Sequence, residues 1–275
     1  MKLYKTEAGI FIKQNEFYYQ LSQTWDTLIN TPNLYGFIKK SIQTTSKKIE
    51  KIDTKSILPP IGTQEIWASG VTYYKSRAAR IEEAKEAGGG DFYDRVYHAK
   101  RPELFFKSTA RRAVGTDQAV RIRKDATWNV PEPELTLVIN KHAEIIGYTI
   151  GNDMSSRDIE GENPLYLPQA KTYDQSAAIG PCVWISPEPI PKTTAIQIAI
   201  VRNDQIVFKG ATTIGQIKRD LKELVHYLFL ELTFPTGAYL MTGTGIIPPN
   251  EFTLVKGDLI RITIEPIGTL ENTVH

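Results

Sequence analysis

The chain has 275 residues, 41% of them hydrophobic and 23% charged, with a formal net charge of +2. That balance suits a globular protein and gives no electrostatic case for a nucleic-acid or membrane partner. A single cysteine, Cys182, excludes an internal disulfide framework. The opening residues lack a signal-peptide core and no apolar run reaches membrane-spanning length, so a cytoplasmic protein is expected.

In chain order, residues 1–58 read as a small N-terminal α/β domain. Ile10-Phe11-Ile12 and Phe17-Tyr18-Tyr19-Gln20-Leu21 read as short strands around Gln14-Asn15. A helical pattern starts near Asn33, with Leu34, Phe37 and Ile38 on one face. Leu58-Pro59-Pro60-Ile61-Gly62 punctuates the chain, and a catalytic domain is expected over residues 59–275.

Ile66-Trp67-Ala68-Ser69-Gly70-Val71 reads as a strand entering a turn. Residues 73–87 are rich in Ala, Arg, Glu and Lys and read as a helix, closed by Gly88-Gly89-Gly90. This is either an exposed helix or a lid offering Arg77 and Arg80 to a ligand carboxylate. Residues 101–108 then read as a strand whose parity places Glu103, Phe105 and Lys107 on one side. Glu103 and Lys107 there are either a surface ion pair or groups facing a pocket.

Residues 131–153 form the chemically richest stretch. Two apolar runs flank the polar turn Asn140-Lys141, which predicts a hairpin. Glu132 and Glu134 alternate with Pro133, so in extended chain both carboxylates share a face, and the returning strand delivers Asp153 near them. Three converging carboxylates repel unless a cation or protons intervene. All-oxygen donors favour Mg²⁺, with Mn²⁺ or Ca²⁺ as substitutes, over zinc. A solvated acidic hairpin is the alternative.

Met154-Ser155-Ser156-Arg157-Asp158 reads as a helical turn, and residues 160–171 as a long irregular loop ending at Lys171. A lysine held near a metal can act as a base. The tail reads as strands over residues 196–201, 205–208 and 259–264, with a helix over residues 217–232. In Met241-Thr242-Gly243-Thr244-Gly245-Ile246, backbone N–H groups and Thr244 could hold a ligand carboxylate, or the glycines could serve a tight turn alone.

These motifs, in this order, resemble the fumarylacetoacetate hydrolase superfamily from about residue 60 onward. The set comprises Pro131-Glu132-Pro133-Glu134-Leu135, Gly147-Tyr148, Asn152 to Asp158, Lys171 with Asp174, Gly180-Pro181 and Thr242-Gly243-Thr244-Gly245. The resemblance implies an α+β, β-rich fold of mixed sheets rolled around a metal site. It implies Mg²⁺ bound by Glu132, Glu134 and Asp153, with Lys171 lining the site, and a homodimer or homotetramer. C–C hydrolases of the family carry a His and a Glu where this chain has Ser76 and Ala79, and serine without an activating partner is no base at neutral pH.

The stretch from Arg157 to Lys171, with Arg101 to Lys107 and Tyr93 to Tyr97, resembles the 2-keto-3-deoxy-D-arabinonate dehydratase branch. That implies dehydration of a 2-keto-3-deoxy sugar acid to 2-oxoglutarate semialdehyde. Lys171 is expected to remove the C3 proton and Glu103 to protonate the departing C4 hydroxyl. Arg77, Arg80, Phe105, Lys107, Gly243 and Thr244 are the expected substrate contacts. Two other readings are a C–C hydrolase or decarboxylase of an acylpyruvate-like 2-keto acid and a catalytically silent sugar-acid-binding protein.

Overall fold

The computed structural model describes residues 1–44, 48–73 and 90–275. Arg77, Arg80, Ser76, Ala79 and, Tyr73 excepted, the helix expected over residues 73–87 lie outside the described residues. Among the described residues, no helix is long and apolar enough to cross a membrane.

Strand-forming sequence dominates. The N-terminal residues supply β1 (Lys2–Thr6), β2 (Gly9–Gln14), β3 (Phe17–Leu21), β4 (Lys48–Ile49) and β5 (Ile57–Leu58). The middle supplies β6 (Glu65–Ala68), β7 (Phe105–Thr109), β8 (Ala113–Val114), β9 (Gln118–Val120), β10 (Asn129–Val130), β11 (Pro133–Ile139), β12 (Ile145–Asp153) and β13 (Ser155–Ser156). The remainder supplies β14 (Ala177–Trp184), β15 (Ala195–Arg202), β16 (Gln205–Thr213), β17 (Ala238–Met241), β18 (Leu259–Ile264) and β19 (Gly268–Val274).

The largest sheet has 12 strands: ten follow the path β4-β3-β2-β1-β14-β12-β11-β17-β6-β7, while β5 pairs with β1 and β8 with β14. A 5-stranded sheet runs β16-β15-β18-β19-β9, and β10 pairs with β13. Both parallel and antiparallel pairs occur, as in β17 with β6 and β11 with β12. The β-rich, mixed-sheet architecture expected from the sequence is the one observed. The N-terminal strands join the large sheet through β1, where Leu3 pairs with Val183 of β14.

Alternation along β11 explains where the cores lie. Leu135, Leu137 and Ile139 face a core shared with Ile196, Ile198, Ile200 and Ile262 of the smaller sheet. Val138 faces a second core with Leu3, Ile12 and Ile38 from the N-terminal residues. Buried on both faces, β11 is apolar except where it carries Glu134 and Thr136. The turn into β12 is an Asx turn: the Asn140 side-chain oxygen accepts from His142 N at 2.9 Å and Glu144 N at 3.0 Å.

The large sheet is rolled. β7 and β12 stand four places apart in it, roughly 19 Å if it lay flat, yet Lys107 of β7 reaches Asp153 of β12 at 2.7 Å. Curvature thus brings both ends of one sheet segment to a common centre.

Helices are short, and several boundaries differ from expectation. The helix near Asn33 is Leu34–Thr44, as read. Residues 157–171 are helical in pieces, Arg157–Glu162, a 3₁₀ turn Pro164–Tyr166 and Leu167–Lys171, where an irregular loop was expected over residues 160–171. Pro164 and Pro168 sit in first turns, where the missing N–H costs no hydrogen bond. Ser155–Ser156 pairs with Asn129–Val130, so the helical turn expected from Met154 starts only at Arg157. The later helix is Leu221–Phe229, shorter than residues 217–232, because Asp220 caps it and Ile217 is bridged to Tyr73.

Candidate metal and active site

Glu132, Glu134 and Asp153 converge: one carboxylate oxygen from each lies within 4.8 Å of the others, and all three residues are buried. The hairpin accounts for this. Asp153 N donates to Glu132 O at 3.0 Å, and Glu134 pairs with Gly151 two residues back along β12. Glu132 and Glu134 thus flank Pro133 at the end of β11 where β12 also ends.

Three cations answer the three carboxylates. Lys171 Nζ donates to Glu132 Oε2 at 2.9 Å, Asp153 Oδ2 at 3.0 Å and Ser155 Oγ at 2.6 Å. Arg157 Nη2 donates to Glu132 Oε1 at 2.9 Å. Lys107 Nζ pairs with Asp153 Oδ1 at 2.7 Å. Burial, reinforced by the Asp153 and Glu132 charges, raises the Glu134 carboxyl well above the usual carboxylate range. Burial likewise lowers the Lys107 ammonium, against the pull of Asp153. Hard oxygen donors crowded together in a buried site fit a divalent cation such as Mg²⁺.

A cavity opens on this cluster, lined by Ser69, Gly70, Val71, Glu103, Phe105, Glu132, Asp153, Arg157, Glu160, Lys171, Gly243 and Thr244. Sheet order places them: β17 lies between β11 and β6, so the turns after β17 and β6 meet the carboxylates from one side. Glu103 precedes β7 and reaches the cavity beside Gly70, whose Cβ, if present, would lie 2.1 Å from Glu103 Oε2. Glycine at position 70 makes room for that carboxylate. Phe105 lies under the lysine, with Lys171 Nζ 5.7 Å from its ring centre.

The expected substrate contacts fare differently from one another. Phe105, Gly243 and Thr244 line the cavity. The Gly243 N–H, however, points at Glu134 Oε2 at 2.5 Å rather than into open space. Gly243 has φ +88°, and a Cβ there would meet Thr72 Oγ1 at 2.1 Å, so the turn demands glycine. Lys107 corrects its expected role: it is fully buried and is not among the residues lining the cavity; its Nζ donates to the main-chain oxygens of Met154 and Lys171 and pairs with the Asp153 carboxylate. Arg157 and Glu160, both buried against the cavity, were not singled out from the sequence. Their spacing of three on one helix would have placed both on one face.

The profile of the fumarylacetoacetate (FAA) hydrolase C-terminal family matches residues 66–275. A probable 2-keto-3-deoxyxylonate dehydratase of Haloferax volcanii is 48% identical over 217 residues, 78% of this chain and 73% of its own. A 2-dehydro-3-deoxy-D-arabinonate dehydratase of Saccharolobus solfataricus is 40% identical over 238 residues, 86% of this chain and 77% of its own. Among solved structures, the apo form of a 2-keto-3-deoxy-D-arabinonate dehydratase superposes with a TM-score of 0.86 at 33% identity, covering 100% of this chain and 98% of that one. The same enzyme complexed with magnesium and 2,5-dioxopentanoate gives 0.84 over the same shares.

Proposed function

Because the chain belongs to the fumarylacetoacetate hydrolase family, we propose that it is a hydro-lyase that removes water from a 2-keto-3-deoxy sugar acid of the 2-keto-3-deoxy-D-arabinonate type, yielding 2-oxoglutarate semialdehyde. One observation carries this reading: Lys171 and Glu103 line the same small cavity as Glu132 and Asp153 of the carboxylate trio. A potential base and a potential acid thus share a space with a site for a divalent ion. Glu132, Glu134 and Asp153 would hold Mg²⁺, with Mn²⁺ or Ca²⁺ as the substitutes that hard oxygen donors admit. When bound, the ion supplies Lewis acidity to the keto oxygen of the substrate.

The protein's own groups then have distinct tasks. Lys171 Nζ takes a proton from C3, and the C3–H electrons pass first into the 2-keto group and then form the C3–C4 double bond. The C4–O bond breaks, and Glu103 gives its proton to the departing hydroxyl, which leaves as water. Tautomerisation of the unsaturated 2-keto acid converts C5 from alcohol to aldehyde. Lys171 in its neutral form is the competent base, and Ser155 Oγ and the Phe105 ring hold its amine in place. Arg77 and Arg80 remain candidate partners of the substrate carboxylate, with Phe105, Gly243 and Thr244 as contacts at the cavity wall. We further infer a small domain over residues 1–58, a cytoplasmic setting and a homodimer or homotetramer.

The test is proton NMR of 2-keto-3-deoxy-D-arabinonate with the protein and Mg²⁺. Loss of one water and appearance of an aldehyde proton are expected, and an untouched substrate refutes the reading. Glu103→Gln should block water loss yet permit C3 exchange in D₂O, because the amide cannot protonate the hydroxyl while the base is intact. Loss of exchange in Glu103→Gln with its retention in Lys171→Met would mean that the two roles are reversed.

A further inference from the structure

One charged side chain of the cavity, Glu160, has no part in ion binding, proton transfer or the bracing of a ligand carboxylate. Glu132 and Asp153 belong to the ion site, Lys171 and Glu103 move protons, and Arg157 Nη2 donates to Glu132 Oε1 at 2.9 Å. The two lining hydroxyls are turned to the main chain: Ser69 Oγ donates to Glu103 O at 2.9 Å and Thr244 Oγ1 to Ile246 O at 3.3 Å. Glu160 lines the same cavity with 3% of its surface exposed. Its helix is docked at the first turn. Asp158 Oδ2 accepts from Thr127 N at 2.5 Å and from Thr127 Oγ1 at 2.9 Å, and Arg157 N donates to Trp128 O at 2.7 Å. The carboxylate is thus carried on a fixed element, as recognition of a small molecule requires.

We propose that Glu160 is a specificity-determining residue of the reaction: it accepts a hydrogen bond from the C5 hydroxyl of the substrate and so selects 2-keto acids that end in an alcohol. The inference rests on the sugar-acid reading above. A 2-keto-3-deoxy pentonate presents a carboxylate and a keto oxygen, which suit cations, and a C4 hydroxyl, which departs with the proton of Glu103. The C5 hydroxyl remains. As a donor it needs an acceptor, which the guanidinium of Arg157 cannot supply and a carboxylate can. The chain leaves the trio at Asp153, and Glu160 stands three residues beyond Arg157, one turn further along the same helix. That step is about 4.5 Å along the axis, comparable to the spacing of C2 and C5 in an extended carbon chain. An ion at one end of the substrate and an acceptor at the other then span its length. A site built to bind a substrate hydroxyl discriminates strongly against an analogue that lacks it.

The experiment is calorimetric titration of the protein, in saturating Mg²⁺, with 5-hydroxy-2-oxopentanoate and with 2-oxopentanoate. Both lack the C4 hydroxyl and cannot be dehydrated, and they differ only in the terminal alcohol. The preference for the hydroxy acid, read as the ratio of the two dissociation constants, should fall by roughly tenfold or more from wild type to Glu160→Leu, the contribution of a hydrogen bond to a charged acceptor. Any cyclised fraction of the hydroxy acid is common to every variant and cancels in that comparison. Glu160→Gln keeps a neutral acceptor and should fall between the two. A purely structural role would weaken both acids in parallel, and an unchanged ratio in Glu160→Leu overturns the proposal. Should Glu160→Leu fail to fold, Glu160→Gln decides, and a ratio equal to that of wild type overturns the proposal. These constants stand apart from the aldehyde signal that tests the reaction. Aldehyde formation together with an unchanged ratio refutes the role of Glu160 alone, whereas wild-type protein that binds neither acid refutes the keto-acid reading and this proposal with it.

Discussion

Two ion pairs, one set on each of the two larger sheets, differ in their surroundings far more than in their length. Arg261 of β18 meets Glu271 of β19 at 2.7 Å, directly opposite in register, with side chains 46% and 33% exposed. Lys171 meets Asp153 at 3.0 Å with both side chains almost wholly out of solvent. The first sits on the outward face of a sheet that alternates buried Ile196, Ile198 and Ile200 with solvated positions. Such a pair is an ordinary surface contact. The second belongs to a cluster of three carboxylates and three cations at the ends of β11 and β12, strands buried on both faces, with Lys171 and Arg157 supplied by short helices. Desolvating six charges costs more than their attraction readily returns, and apolar side chains of like volume would serve stability as well or better. Polar groups kept where packing gains nothing from them mark the region whose sequence answers to chemistry.

The sharpest way to separate the regions is to remove a charge from the buried cluster while keeping its volume. Lys171→Met should lower turnover by ~10²–10⁴-fold, the usual contribution of a general base. Exchange of C3 protons in D₂O should vanish with it, whereas calorimetric Mg²⁺ affinity should persist, since Glu132, Glu134 and Asp153 remain. Retained exchange would break the comparison on its functional side.

A smaller effect reports the cost of burial. The Glu134 carboxyl is raised by burial and by Asp153 and Glu132, so the folded protein holds that proton more tightly than the unfolded chain. For an acid with a raised value, stability falls as pH climbs above the usual carboxylate range and levels off beyond the folded value. Glu134→Gln lacks this loss, and its amide oxygen can still accept from Gly243 N. Metal-free variant should therefore melt higher than metal-free wild type at neutral pH, by a few degrees if the relief is on the order of 1 kcal/mol. The gap should close in acid, and added Mg²⁺ should reverse it by stabilising wild type more. Calorimetric melting across pH checks each part, and identical curves would contradict a buried, strained trio.

The same contrast sets how much could be read in advance. The β11–β12 hairpin was legible because two apolar runs and the Asn140 turn between them are local signals. Parity correctly put Glu103 and Phe105 on the cavity side, but it could not say what Lys107 meets. Its acceptors come from residues 154 and 171, brought in by the rolling of the sheet, which no local pattern encodes. The short helices over residues 157–171 were masked by Pro164, Pro168 and Gly161, residues that break helices in mid-run yet sit comfortably in first turns or in a single short one. Glu160 and Arg157 were passed over for the same reason, since without a helix their spacing of three carries no meaning.

The smallest expected effect lies on the surface pair. Glu271→Gln removes one charge of the Arg261 contact, yet both side chains are partly in water and each can be resolvated when the other is lost. Exposed pairs of this kind contribute roughly 0.2–1 kcal/mol, and salt weakens them further because their charges are screened. Chemical denaturation should therefore show a stability loss within that range, shrinking as ionic strength rises, with turnover unchanged. The backbone of Glu271 is unaffected by the substitution, so its register with Arg261 and the N–H bond to Thr116 persist. A loss of several kcal/mol, insensitive to salt, would mean that this pair behaves like the buried cluster, and exposure would no longer distinguish the two sheets.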